Sequence, residues 1–126
     1  MHRSVLTAAV AVIGLGLTAG TAFAEGDVAA GEKVYKKCKA CHTVDKDGKN
    51  KVGPNLWGIV GKDAAQAEFK YSKAMKGAGI VWSEDVLDAY LAAPRKYVKG
   101  TKMAFAGLKK EKDRADVIAY LKTLAD

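Results

Sequence analysis

The chain has 126 residues, of which 49% are hydrophobic, and its 21 Lys and Arg against 14 Asp and Glu give a net charge of +7. This length is that of one ordinary domain, and the average apolar fraction excludes an intrinsically disordered chain. The 2 cysteines are too few for a disulfide-dense scaffold, and no apolar run reaches the roughly 18 residues of a membrane span.

Residues 1–24 differ from the rest of the chain. A cationic start at Arg3 precedes an uncharged, mostly apolar run from Val5 to Leu17, and the segment ends in Ala22-Phe23-Ala24. This order is typical of a secretory signal peptide that is cleaved after Ala24. A buried helix and a retained membrane anchor are the alternatives. Cleavage would leave 20 cations against 14 acids, a net charge of +6, in one domain that spans residues 25–126.

The first predicted helix begins after the N-cap Asp27 and ends near Cys38. Gly31 lies on its apolar face, where the absence of a side chain predicts close approach of another backbone. Residues 43–62 contain Gly, Asp, Asn and Pro without any periodicity and are predicted to form a loop. Residues 63–82 are mixed, with room for one short helix.

The next helix is predicted between the N-cap Ser83 and Ala92, where the following proline ends it. Residues 95–108 are predicted to be irregular. A last helix is predicted from about Lys110 to Leu124, with an apolar inner face. No strand is convincing, so we expect an all-α domain in which the first and last helices cross at Gly31.

One motif carries the chemistry of this sequence. Cys38-Lys39-Ala40-Cys41-His42 has the C-x-x-C-H spacing of covalent haem attachment, in which two thiols bond the porphyrin edge and the adjacent imidazole binds iron. The motif follows an export signal, and c-type haem is attached outside the cytoplasm. A thioredoxin-like redox pair, a zinc site and a structural disulfide are the alternatives.

The second axial ligand of such a haem iron cannot be a histidine, because His42 is the only one after residue 24. Met75, Met103 and a lysine are the candidates. Met75 stands between lysines and glycines, which favours a surface loop. Met103 lies in a stretch of small and apolar residues that can cover the ring, so the sequence favours Met103. A thioether ligand raises the reduction potential and leaves iron no open position for substrate.

Several further motifs accompany C-x-x-C-H, and with them the sequence resembles the class I cytochromes c, in particular the cytochrome c2-like and mitochondrial-like branch. The resemblance covers nearly all of residues 25–126. The accompanying motifs are Gly53-Pro54-Asn55-Leu56-Trp57-Gly58, Phe69-Lys70-Tyr71-Ser72, Gly79-Ile80-Val81-Trp82, Tyr90-Leu91-Ala92-Ala93-Pro94-Arg95-Lys96-Tyr97, Gly100-Thr101-Lys102-Met103-Ala104-Phe105 and Ala119-Tyr120-Leu121.

The resemblance implies a single-domain fold with a middle helix and long loops wrapped around one covalent haem c. Cys38 and Cys41 would hold the haem, and His42 and Met103 would bind its iron. The remaining implied roles are those of pocket residues. Pro54 would accept a hydrogen bond from His42, Tyr71 and Trp82 would bond a haem propionate, and Tyr90 and Thr101 would support the methionine.

Lysines flank both proposed ligand segments. If these ligands lie on opposite faces of one haem, we expect the lysines to surround its exposed edge and to attract acidic docking surfaces. A scattered basic surface is the alternative. The expected docking residues are Lys36, Lys37, Lys51, Lys96, Lys99 and Lys102.

The leading hypothesis is a soluble periplasmic one-electron carrier that is not itself an enzyme. By resemblance, it would take electrons from a bc1-type reductase and pass them to a terminal oxidase or a photosynthetic reaction centre. We expect a monomer that binds no nucleic acid and is not stably inserted in a membrane. The alternatives are a peroxidase or gas sensor, which needs an open iron position, and a haem subunit of a fixed complex.

Overall fold

The computed structural model describes residues 25–126 together with Gly14 and Gly16. The expected signal peptide, residues 1–24, therefore lies outside the described residues apart from those two glycines. In residues 25–126 no helix is long and apolar enough to cross a membrane.

The described residues form five α-helices and no strand, which confirms the all-α expectation. The helices are α1 (Val28–Tyr35), α2 (Lys73–Gly77), α3 (Glu84–Ala92), α4 (Pro94–Tyr97) and α5 (Glu111–Thr123). A single β-bridge, between Asp63 and Val81, ties the loop before α2 to the segment before α3.

The predicted N-caps of α1 and α3 are confirmed. The Asp27 carboxylate accepts from the amide of Ala30, and the Ser83 hydroxyl accepts from the amide of Val86. Each satisfies an amide that the first helical turn leaves unpaired. The predicted end of α1 was too late, because the helix stops at Tyr35 and the chain continues through hydrogen-bonded turns to Cys41.

The prediction that residues 95–108 are irregular was wrong at their start. Pro94 begins the four-residue helix α4, in which the amide of Val98 donates to the Pro94 carbonyl. A proline suits the first position of a helix, because its φ angle is already helical and the amide it lacks would be unpaired there. The same residue therefore ends α3 and starts α4.

The terminal helices cross at Gly31, as predicted. A Cβ atom at Gly31 would collide with the backbone carbonyl of Asp116 in α5, so the two helices meet at backbone distance. Val117 and Ile118 of α5 are each only 1% exposed and belong to the core. The crossing therefore anchors α1, and with it the turn that carries the C-x-x-C-H motif.

Candidate haem site

A cavity of about 350 Å³ opens beside the C-x-x-C-H turn. Cys38, Cys41 and His42 line it from that turn, and Met103 lines it from the loop after α4. The other lining side chains are mostly apolar, and no acidic residue is among them. The residues on which the sequence placed the chemistry are thus brought together around one apolar space.

The turn after α1 presents both cysteines to this cavity. The amides of Cys41 and His42 each donate to the carbonyl of Cys38, at 3.0 Å. Cys38 is half-buried and Cys41 is exposed, and both are free thiols. Burial, and then the neighbouring Cys41, raise the pKa of the Cys38 thiol. The structural disulfide considered from the sequence is not present.

A thioredoxin-like redox pair and a structural zinc site also lose support as interpretations of the motif. The described residues contain no strand, so the βαβ context of a thioredoxin-like pair is missing from them. Nor does the part of the chain from Glu25 to Asp126 gather three or more His, Cys, Asp or Glu side chains into a metal-holding group. A structural zinc site needs four such ligands.

His42 is held at its ring and at its backbone. Its Nδ1 lies 2.7 Å from the Pro54 carbonyl oxygen. A carbonyl can only accept, so Nδ1 carries the proton and Nε2 keeps its lone pair for a metal. Burial lowers the pKa of His42, which favours this neutral form, while the bond to Pro54 partly opposes the shift. A Cβ at Gly53 would lie 2.5 Å from Cε1 of the same ring.

Met103 is approached by a tyrosine. The Tyr90 hydroxyl lies 3.4 Å from the Met103 sulfur and 3.0 Å from the Thr101 hydroxyl. The Met103 amide donates to that threonine oxygen at 3.4 Å. Burial raises the pKa of Tyr90, so its hydroxyl remains a donor at neutral pH. Both proposed supporting residues are therefore in contact with the methionine.

Met75 does not lie in a surface loop, contrary to the sequence interpretation. It is 8% exposed, belongs to α2 and also lines the cavity. Ser72 caps this helix, because its hydroxyl accepts from the Met75 amide at 3.0 Å. The structure thus brings two methionines to the cavity, and Met103 is the one whose sulfur accepts from a hydroxyl, that of Tyr90.

Tyr71 and Trp82 line the same cavity. The Tyr71 hydroxyl accepts from the amide of Ala67 at 3.3 Å, and its ring packs edge-on against Phe69. Trp82 is buried, with its ring centroid 4.9 Å from that of Tyr90. Their implied bonds to a propionate remain predictions.

The six expected docking lysines are all exposed. Lys37 and Lys102 also line the cavity, whereas the other four do not. The Lys51 ammonium donates to the Lys39 carbonyl at 3.2 Å, which holds one lysine over the C-x-x-C-H turn. Only two of the six lysines are therefore placed by the structure at the cavity itself.

The sequence interpretation missed a network around Asn55. Its side-chain amide donates to the Thr43 hydroxyl at 2.8 Å and to the Asp45 carbonyl at 2.9 Å. Its side-chain oxygen accepts from the amide of Trp57 at 2.9 Å. Asn55 thus joins the segment after His42 to the one that carries Pro54. The sequence signal for this network is an Asn next to a Pro in a loop, because Asn side chains in loops often hydrogen-bond to nearby backbone groups.

This residue set suits a covalently bound planar cofactor. Two free thiols at one edge of an apolar cavity, a neutral imidazole with a lone pair and a thioether are the donors of a c-type haem site. These donors, held around one apolar cavity by an all-α fold, define the class of the protein as a c-type haem protein.

The chain belongs to the cytochrome c family, whose sequence model, described as cytochrome c, matches residues 28–125. It is 56% identical over 99 residues to cytochrome c of Theileria annulata, covering 78% of this chain and 86% of that protein. It is 51% identical over 94 residues to a cytochrome c homolog of Rickettsia felis, covering 74% of this chain and 54% of that protein.

A solved structure agrees with this assignment. Cytochrome cH from Methylobacterium extorquens is 47% identical and superposes with a TM-score of 0.74, covering 78% of this chain and 99% of that one. The class I cytochrome c fold and one covalent haem c as cofactor are thereby confirmed. Cytochromes c of this family are electron carriers.

Proposed function

We propose that this protein is a soluble periplasmic one-electron carrier, not an enzyme, in which Cys38 and Cys41 hold the haem and His42 and Met103 bind its iron. The observation that carries this proposal is that all four side chains line one apolar cavity. The bound haem iron supplies the chemistry, a reversible one-electron couple. The chain supplies ligands, orientation and exclusion of water.

The proposed ligands have different effects on the couple. The Pro54 carbonyl fixes the His42 tautomer and makes the imidazole a better donor. Met103 offers a soft sulfur, which favours the ferrous state and raises the potential. Two protein ligands would leave no open iron position for oxygen, peroxide or another substrate. That arrangement supports a carrier over a peroxidase or gas sensor.

Exchange of Met103 for leucine tests the ligand assignment, and Met75→Leu is the matched control because Met75 lines the same cavity. We expect Met103→Leu to lose the iron–sulfur charge-transfer band, to bind carbon monoxide in the reduced state and to lower the potential. We expect Met75→Leu to keep the band and to lose stability only. The reverse pattern would assign the iron to Met75.

The proposed partners are acidic docking surfaces on a bc1-type reductase and on a terminal oxidase or photosynthetic reaction centre. The support is electrostatic: the cavity lining contains no acidic side chain, and Lys37 and Lys102 lie at it. Opposite charge on a partner raises the rate of encounter and fixes the orientation of docking. The nearby segments carry the remaining proposed docking residues, Lys36, Lys51, Lys96 and Lys99.

The periplasmic location rests on residues 1–24, which we propose to be a signal peptide removed after Ala24. The charged start, the apolar run and the Ala22-Phe23-Ala24 end support it. The intact mass of the purified protein with its haem tests this proposal. We expect the mass of residues 25–126 plus one haem, recovered from the periplasm. The full-length mass in the membrane fraction would instead indicate a retained anchor.

A further inference from the structure

The Tyr35 side chain ends α1 in the core and carries a hydroxyl that the packing does not need. It is 6% exposed, and its ring centroid lies 5.7 Å from that of Tyr120. A phenylalanine would fill nearly the same volume, and burying a hydroxyl costs free energy unless it is hydrogen-bonded. The Tyr35 hydroxyl has one such partner, because it donates to the carbonyl oxygen of His42 at 2.9 Å.

Three contacts fix His42 at three different atoms. Its amide donates to the carbonyl of Cys38 at 3.0 Å, its ring donates to the carbonyl of Pro54 at 2.7 Å, and its own carbonyl accepts from Tyr35. Within residues 25–126, Tyr35 is the only hydrogen-bond donor to that carbonyl. Without the hydroxyl, the peptide plane after His42 would lose its attachment to α1.

This attachment matters because α1 is rigidly placed. Gly31 holds the helix against the backbone of α5, and Tyr35 lies one turn later. A tyrosine hydroxyl is ordinarily protonated at neutral pH, so Tyr35 remains a donor over the physiological range. The helix crossing, acting through α1 and Tyr35, therefore fixes where the His42 backbone lies relative to the loop that carries Pro54.

We propose that Tyr35 is a positioning residue for His42, whose hydroxyl fixes the His42 backbone and so keeps the imidazole aligned with the Pro54 carbonyl. The inference rests on the proposed function, in which the other ring nitrogen of His42 binds iron. A well-aligned bond to Pro54 makes the imidazole more basic, and a more basic ligand favours ferric iron. Loss of the Tyr35 hydroxyl should therefore raise the reduction potential.

The test is the haem-loaded Tyr35→Phe variant, with Tyr120→Phe as the matched control in the same aromatic pair. We expect Tyr35→Phe to raise the reduction potential by about 28 mV. This corresponds to a change of about threefold in the ratio of ferrous to ferric protein, since a tenfold change corresponds to about 59 mV for one electron. The electron paramagnetic resonance spectrum of the ferric low-spin iron should shift together with the reduction potential. Tyr120→Phe should leave both at their wild-type values.

A Tyr35→Phe protein with wild-type potential and wild-type ferric spectrum overturns the proposal, even when its unfolding temperature falls. A lowered potential also overturns it. If the variant does not fold, NMR of the reduced wild-type protein decides instead. A slowly exchanging Tyr35 hydroxyl proton close to the His42–Thr43 peptide supports the proposal, and rapid exchange of that proton contradicts it.

Failure of the proposed function would look different from failure of this inference. If His42 did not bind iron, the wild-type protein itself would lack a low-spin spectrum with two protein ligands. If His42 binds iron but Tyr35 does not position it, the wild-type spectrum is low-spin and only the response to Tyr35→Phe is missing.

Discussion

The hydroxyl of Tyr90 lies 3.4 Å from the sulfur of Met103, and this contact closes a ring of hydrogen bonds. The Met103 amide donates to the Thr101 oxygen, the Thr101 hydroxyl can donate to Tyr90, and Tyr90 donates to the sulfur. Bonds that run in one direction polarise each other. The residue that offers its sulfur to the cavity is thus restrained at both its backbone and its side chain.

Removal of the Tyr90 hydroxyl should lower the reduction potential. A donor on the Met103 sulfur withdraws electron density, so its loss in Tyr90→Phe should favour the ferric state by up to about 40 mV, given about 1 kcal/mol for a neutral hydrogen bond. Tyr97→Phe is the control, because the Tyr97 ring packs against Tyr90 but is 42% exposed. Redox titration of both variants checks this, and equal potentials would contradict it.

Gly31→Ala should strongly destabilise the protein. The added Cβ would collide with the Asp116 carbonyl, and overpacking costs about 1–3 kcal/mol or more when backbone must move. Gly77→Ala is the control, because a Cβ at Gly77 has open space around it. Guanidinium unfolding of the haem-loaded proteins measures both. Equal midpoints for the two variants would show that the helix crossing tolerates a side chain.

Asp116 should make stability depend on acid pH. Its carboxylate is 4% exposed and accepts from the Lys112 ammonium at 2.6 Å and from the Asp27 amide at 2.8 Å. These bonds, with Lys112 the larger cause, lower the pKa of Asp116 below its unfolded value. A lowered folded pKa means that the stabilisation is present above the unfolded pKa, about 3.9, and is lost as pH falls through the folded value.

The Asp116→Asn variant measures this contribution. We expect it to be less stable than wild type at pH 7, with a difference that shrinks as pH falls below about 4. Asp126→Asn is the control, because Asp126 pairs with Lys46 at an exposed position, where ion pairs contribute little. An Asp116→Asn difference that stays constant down to the acid transition would contradict the prediction.

Lysines at the cavity should control the rate of partner binding. Lys37→Gln and Lys102→Gln should each slow association with a bc1-type reductase at low ionic strength, and the difference should fade as salt screens the charge. Lys46→Gln removes the same charge from a residue that pairs with Asp126 and does not line the cavity. Stopped-flow kinetics at several salt concentrations would contradict local docking if all three variants behaved alike.

The elements predicted well from the sequence are those with local signals. Asp27 and Ser83 mark the starts of α1 and α3, and Gly31 marks the helix crossing, because caps and close approach depend on single residue types. The C-x-x-C-H motif is likewise identified from the spacing of its own residues alone. The sequence predicts that α5 ends at Leu124, one residue beyond the observed Thr123, a difference no larger than the fraying of a last helical turn.

Short helices and long-range contacts were predicted less well. The short helix expected within residues 63–82 is confirmed by α2, but a helix of this length shows no periodic pattern that would give its bounds. The nearby glycines indicate a loop at Met75, so the sequence interpretation places that residue at the surface and misses its burial in α2. From the sequence, Pro94 predicts only the end of α3, whereas in the structure it also begins α4. The bond from Tyr35 to His42 depends on how the chain turns after α1, which no local pattern specifies.

Absorption spectra of the purified wild-type protein test the central claim most directly, when recorded oxidised, reduced, and reduced under carbon monoxide. Ligation of iron by His42 and Met103 predicts a low-spin c-type spectrum that carbon monoxide does not change. A clear shift under carbon monoxide would show an open or easily opened iron position. That result would contradict electron transfer as the function and favour ligand sensing or peroxidase chemistry.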